Sequence, residues 1–157
     1  MKFDKKRLIL CLAVPLVVGG VAGLLTMNSM KAFAALNQPP LSPPGWLFPV
    51  VWTVLYVLMG IASYLVSASD AAQEEKTRAQ WTYGIQLAFN FLWPIVFFGL
   101  KWYLFAFVWL AILWILILVT ALRFGRIRRP AGYLLIPYLL WVIFAGYLNL
   151  GIYLLNP

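Results

Sequence analysis

The chain of 157 residues has no histidine, four acidic residues and one cysteine. Each scarcity removes a class of chemistry. Without histidine there is no imidazole to serve as general base, metal ligand or axial ligand to haem iron. The acids, Asp4, Asp70, Glu74 and Glu75, all lie outside the long apolar runs, so no carboxylate pair can work inside a hydrocarbon core. Cys11 has no second cysteine to pair with internally and reads first as a small packing residue. Charged residues make up 10% of the chain, against ~25% in an average globular domain. Hydrophobic residues make up 64%. A soluble domain of ~150 residues hides only ~70% of the surface its unfolded chain exposes. The composition therefore excludes a water-soluble fold, a disordered chain and a disulfide scaffold. No P-loop, dinucleotide fingerprint, metal-ligand spacing or internal repeat is present.

What is present reads as an all-α integral membrane protein, a single domain over residues 1–157. Residues 8–27, 32–69, 79–100, 102–122 and 130–157 carry no charge. Crossing a ~30 Å hydrocarbon core takes ~20 apolar residues in a helix. The run 32–69 is longer than that, but Pro39, Pro40, Pro43, Pro44 and Gly45 break its first part. The pattern predicts five spans, near 8–27, 47–67, 81–99, 103–122 and 131–154, with a loop over 28–46.

Ten basic residues flank the ends that share a side with the N-terminus, and only Lys31 and Lys101 flank the other ends. That asymmetry predicts a cytoplasmic N-terminus and an external C-terminus. It also accounts for the net charge of +8 without nucleic acid as a partner. Ala32-Phe33-Ala34 resembles a signal-peptidase site, but the preceding apolar stretch exceeds the ~7–15 residues of a signal-peptide core. The first segment therefore reads as a retained span.

Trp46, Trp81, Trp102 and Tyr103 fall at span ends, where amphipathic rings settle at the headgroups. Trp109 and Trp114 read as facing lipid or a neighbouring helix. Other aromatics share a helical face with amides or small residues at 3–4 spacing. In the second span these are Pro49, Trp52, Tyr56, Met59 and Ser63. In the third they are Tyr83, Gln86, Asn90, Trp93 and Phe97, and in the fifth Tyr138, Trp141, Ala145 and Asn149. An unpaired amide in hydrocarbon costs several kcal/mol, so Gln86, Asn90 and Asn149 turn inward. They serve either as links between helices or as ligand contacts. Three such faces suit a cavity for a flat apolar ligand, including Tyr56 in its wall. Pro15, Pro94 and Pro137 lie inside apolar runs and predict kinks. Gly19 and Gly23 form a G-x-x-x-G pattern, which predicts a close helix contact within the bundle or in a homodimer.

Three stretches resemble the TspO/MBR family, the tryptophan-rich sensory proteins and translocator proteins. Leu36–Gly60, LNQPPLSPPGWLFPVVWTVLYVLMG, resembles P-P-x-W-x-F-P-x-x-W-T-x-L-Y after a proline-rich loop. Gln86–Gly99, QLAFNFLWPIVFFG, resembles Q-L-x-x-N-x-x-W-x-x-x-F-F. Leu135–Asn149, LIPYLLWVIFAGYLN, resembles P-Y-x-x-W-x-x-F-A-x-x-L-N.

The resemblance implies a five-transmembrane-helix bundle with a ligand cavity closed by the first loop. It implies ligand contacts at Trp52, Asn90, Trp93, Tyr138, Trp141 and Ala145, and a lid at Pro43, Pro44 and Trp46. The implied ligands are porphyrins, notably protoporphyrin IX, with no cofactor required. In the mitochondrial members they extend to sterols and to isoquinoline or benzodiazepine drugs. Some bacterial relatives degrade protoporphyrin in light; if this chain shares that activity, Trp52 and Trp141 are its catalytic pair. A regulatory membrane scaffold is the third implied role. The chain departs from the family at Leu41, where some members carry an aromatic, and at Tyr153, which no basic residue follows. The basic flank and short loops fit a bacterial inner membrane.

Overall fold

A computed structural model describes residues 2–157. Among them are six α-helices, one π-helical turn and no strand. The helices are α1 (Lys5–Ala34), α2 (Leu47–Ser67), α3 (Gln73–Pro94), α4 (Tyr103–Ile127), α5 (Arg129–Tyr133) and α6 (Ile136–Leu155); the π turn is Ile95–Gly99. The chain is an all-helical integral membrane protein. Three helices, α1, α2 and α4, are each long and apolar enough to cross a bilayer, as is the stretch Arg129–Leu155. The apolar part of α3 is preceded by two polar turns and completed by the π turn.

Local chemistry sets the helix ends. Asp4 caps α1, its carboxylate accepting from the Arg7 amide at 3.1 Å. Glu74 and Glu75 complement the dipole in the first turn of α3. Pro94 has no N–H to return to the Asn90 carbonyl, and the chain widens into i→i+5 bonding, with the Leu100 amide donating to the Ile95 carbonyl at 2.9 Å. Lys101, with φ 58°, then turns the chain into α4.

Several expected boundaries move, and the fourth helix runs on to Ile127 rather than 122. The first helix runs to Ala34, so the loop is 35–46 rather than 28–46. Residues 28–34 hold no breaker, and Lys31 ends an apolar run without ending a helix. The third helix starts at Gln73 instead of 81, because its polar turns rise out of the apolar zone. The last span is divided: α5 ends at Tyr133, and Pro137 sits in the first turn of α6, where the missing N–H costs nothing. Pro137 thus starts a helix instead of kinking one.

The packing order is α2 on α1, α1 on α3 and the π turn, α3 on α4, and α4 on α6, with α5 wedged between α4 and α2. Helices α2 and α6 are not close-packed neighbours, which leaves a seam. Because lipid tails are as apolar as leucine, close packing and polar links hold such a bundle together. Backbone meets backbone closely at Gly60. A Cβ there would lie 2.8 Å from the Cys11 carbonyl oxygen, and that carbonyl is the one Pro15 releases from helical bonding. Gly19 similarly makes room for the Tyr56 ring, which a Cβ there would strike. Gly23 meets nothing within 4 Å, so only the first glycine of the G-x-x-x-G pattern is used inside the bundle.

Gly60→Ala should destabilise the protein by about 1–3 kcal/mol, since backbone atoms of α1 must move. Gly23→Ala should be neutral or stabilising by up to about 1 kcal/mol. Thermal unfolding of both variants in one detergent checks the contrast.

Candidate functional site

A chain of buried hydrogen bonds crosses the middle of the bundle. The Tyr56 hydroxyl on α2 donates to Asn90 Oδ1 on α3 at 2.7 Å. Asn90 Nδ2 donates to the Tyr138 hydroxyl on α6 at 2.6 Å. That hydroxyl donates in turn to Gln86 Oε1 at 2.8 Å. Gln86 and Tyr138 are each 1% exposed and Asn90 is 3%. No water is at hand in hydrocarbon to replace these partners, so each bond constrains which helix faces meet. A second link lies towards the π turn. Trp93 Nε1 donates to Asn149 Oδ1 at 3.1 Å, and Asn149 Nδ2 donates to the Tyr103 carbonyl at 2.8 Å. Asn90 and Asn149 therefore act as links between helices. Gln86 does so only in part, for its Nε2 is buried without a partner, as are the Tyr83 hydroxyl and Trp141 Nε1.

The rings pack around this chain. Trp52 stacks on Tyr56, with centroids 5.7 Å apart, and meets the edge of Tyr138 at 6.2 Å. Trp141 is flanked by Phe48 at 6.0 Å and Phe144 at 5.5 Å. Ala145 is buried in the same core. The structure thus gathers Trp52, Tyr56, Asn90, Tyr138, Trp141 and Ala145 into one region. Trp93 packs against the same core and also bridges to the smaller cluster around the π turn, stacking on Phe97 at 5.0 Å. Trp109 and Trp114 meet neighbouring helices, donating to the Phe89 carbonyl at 2.9 Å and the Leu139 carbonyl at 3.1 Å. Trp46, Trp81 and Trp102 are exposed at the rims, whereas Tyr103 packs inward on Phe97.

The open space next to this region is a groove of about 540 Å³ along the α2–α6 seam. Val51, Val54 and Leu55 form its α2 wall; Pro137, Leu140, Trp141 and Phe144 form its α6 wall. The expected enclosed hollow takes a different form. Tyr56, Met59 and Tyr138 fill the bundle interior because their hydroxyl links and packing draw them inward, and the space is displaced to the seam.

Of the expected lid residues, Pro43 is half-buried, and Pro44 and Trp46 are exposed. Other residues fasten the loop. The Asn37 amide donates to Asn156 Oδ1 at 3.0 Å, and Asn156 Nδ2 returns a bond to the Asn37 carbonyl at 2.9 Å. The Tyr147 hydroxyl donates to the Pro40 carbonyl at 2.6 Å. Pro39 is buried against Gly151, where an added Cβ would come within 2.6 Å of the proline ring. Leu41, with φ 69°, turns the chain back and is exposed. No spacing pattern in the sequence singles out Asn37, Pro39, Tyr147 or Asn156 as a latch.

The profile of the TspO/MBR family matches residues 11–155. The chain is 40% identical over 151 residues to the tryptophan-rich protein TspO of Chlorobaculum tepidum, covering 96% of each chain. It is 40% identical over 121 residues to the tryptophan-rich sensory protein of Cereibacter sphaeroides, covering 77% of this chain and 74% of the relative. It is 37% identical over 123 residues to the translocator protein of sheep, covering 78% of this chain and 73% of the relative.

Asn90→Leu removes two bonds, stranding the Tyr56 hydroxyl and leaving Tyr138 only its bond to Gln86, and should cost about 1–3 kcal/mol, more than Tyr56→Phe, which removes only one bond. Thermal unfolding of the two variants checks the order. Asn156→Ala should leave the melting temperature within about 1–2 °C but speed hydrogen exchange across residues 35–46, the signature of a local opening.

Proposed function

The chain belongs to the TspO/MBR family, and from that premise we propose that it is a membrane receptor or sensor for flat hydrophobic molecules, with porphyrins such as protoporphyrin IX as the preferred class. The observation that carries this reading is the α2–α6 groove with Trp141 in its wall and the Trp141 Nε1 donor unpartnered. A volume of about 540 Å³ falls within the ~300–1,000 Å³ range of small-molecule sites. The lining is apolar and aromatic, which suits a macrocycle's face, and an indole N–H suits an acceptor at its edge. The groove is open along the seam, so a guest enters sideways from the bilayer and meets Trp141 and Phe144 first. Trp52, stacked on Tyr56 behind that wall, is the next ring it meets. The same groove accommodates a sterol or an isoquinoline- or benzodiazepine-type drug by the same contacts.

The relatives' names, tryptophan-rich sensory protein and translocator protein, support a signalling or carrier role. The arrangement of charge supports the orientation read from the sequence. Arg7 and Lys76 both bond the Ser67 carbonyl, and Arg123 bonds the Arg78 carbonyl and Thr82, so these basic segments share one end. Phe33 packs on Phe97 and Phe98, which brings the Lys31 and Lys101 segments to the opposite end. With the basic end cytoplasmic, the latched loop 35–46 faces outward, in a bacterial inner membrane towards the periplasm.

A second reading, oxidation of a bound porphyrin in light with dioxygen as the oxidant, draws on the placement of two indoles at this seam, Trp141 in the wall and Trp52 behind it. Titration of protoporphyrin IX, followed by tryptophan quenching, tests the binding reading. Trp141→Ala should weaken affinity about tenfold, the worth of one stacked aromatic contact with its hydrogen bond. Unchanged affinity in a Trp52→Ala/Trp141→Ala double variant would overturn the site. Under illumination, a product spectrum that disappears in Trp52→Phe/Trp141→Phe while binding persists would favour the oxidative reading.

A further inference from the structure

A larger cleft, about 860 Å³, lies away from the α2–α6 seam, among the start of α1, the end of α2 and α3 from Gln73 to Ala88. Its character changes along its length. At one end Arg7 Nη1 and Lys76 Nζ converge on the Ser67 carbonyl, at 2.9 and 3.2 Å. Carboxylates neutralise this pair poorly. Arg7 has one exposed contact, Nε to Asp4 Oδ2 at 3.7 Å, and Glu74 is taken by Arg78 at 3.2 Å. Among the described residues, no carboxylate reaches ion-pair distance of Lys76. Descending α3, the wall continues with polar Thr77 and Gln80, then the exposed indole of Trp81. Gly84, Ile85 and Ala88 complete it. A Cβ on Gly84 would meet nothing within 4 Å, so the helix carries a trough at that level.

The dimensions fit one leaflet. From Lys76 to Ala88 the helix rises about 18 Å at ~1.5 Å per residue, against the ~15 Å that half of a ~30 Å core requires. Cations, then polar groups, then an interfacial indole, then a small-residue trough repeat the order of a glycerophospholipid from phosphate to acyl chain. We propose that this cleft binds one anionic diacyl phospholipid, its phosphate held between Arg7 and Lys76 and one acyl chain laid along α3 from Trp81 to Ala88. A zwitterionic lipid offers the same chains without the net charge, and free phosphate offers the charge without the chain. A lipid seated here joins the first turn of α1 to α3, which otherwise meet less closely than α1 and α2 do. The proposal does not depend on the porphyrin reading.

Native mass spectrometry of the full chain, released from nanodiscs of equal dioleoyl-phosphatidylglycerol and dioleoyl-phosphatidylcholine, is the test. The expected result is one retained phosphatidylglycerol per chain. Arg7→Gln and Lys76→Gln should each weaken retention about fivefold and together about thirtyfold, in line with the attraction of a basic side chain for an anionic membrane surface. Gly84→Leu fills the trough without altering charge and should also release the lipid, while the exposed Arg126→Gln should not. Circular-dichroism melting confirms that each variant is folded. Equal retention of the two lipids, or phosphatidylglycerol retained by both the double variant and Gly84→Leu, would overturn the proposal. So would displacement by millimolar inorganic phosphate with no effect of Gly84→Leu, which would identify a free-anion site.

Discussion

The carboxamide of Asn90 is the constraint on which the arrangement of this bundle depends. It sits where water is absent, and both its oxygen and its nitrogen are engaged by tyrosines from other helices. In an aqueous core such a group could be partly solvated after a small shift. In hydrocarbon the alternative is an unsatisfied dipole, so α2, α3 and α6 are held in one rotational setting relative to each other. Gln86 extends the link, and Asn149 with Trp93 repeats it one level away. Leucine and isoleucine contacts supply packing but little direction, and these amides supply the direction.

The hydrogen-bonded rings have a spatial consequence. Tyr56 and Tyr138 are drawn to the interior, where they fill space that separate aromatic faces would otherwise have left open. The open space beside these rings is at α2–α6, the seam that lacks close backbone packing. Both ends of that seam are stiffened by neighbouring segments. The small helix α5 lies between α4 and α2, and the loop 35–46 is fastened to α6 through Asn156, Tyr147 and Gly151.

The all-helical membrane fold was readable because charge-free runs of helical length leave few alternatives. The faces of Trp52/Tyr56, Gln86/Asn90 and Tyr138/Trp141 were readable because helical periodicity alone brings residues at 3–4 spacing together. The pairings between faces were not: nothing local distinguishes Asn90 bonding two tyrosines from Asn90 facing a guest. Trp93 follows the same periodicity as Asn90 and packs on the same core, but its bridge to the π-turn cluster was hidden, because Pro94 changes the winding that places Phe97 and Phe98. The division between α5 and α6 was hidden for a similar reason. Residues 130–157 carry no charge, so an apolar run conceals a helix boundary that only Pro137 marks. The latch joins residues separated by 119 positions, beyond the reach of any local pattern.

The seam between α2 and α6 has a thermodynamic implication. Its walls are almost wholly apolar and it opens sideways, so the medium that fills it when no guest is present is acyl chain. Occupancy is then an exchange reaction, guest for hydrocarbon tail, and the hydrophobic effect largely cancels between the two sides. The proposed guest would gain chiefly from ring stacking and from the one indole N–H, while its effective concentration would be set by how strongly it partitions into the bilayer. Apparent affinity should therefore track lipid composition and chain saturation as much as the identity of the side chains in the wall.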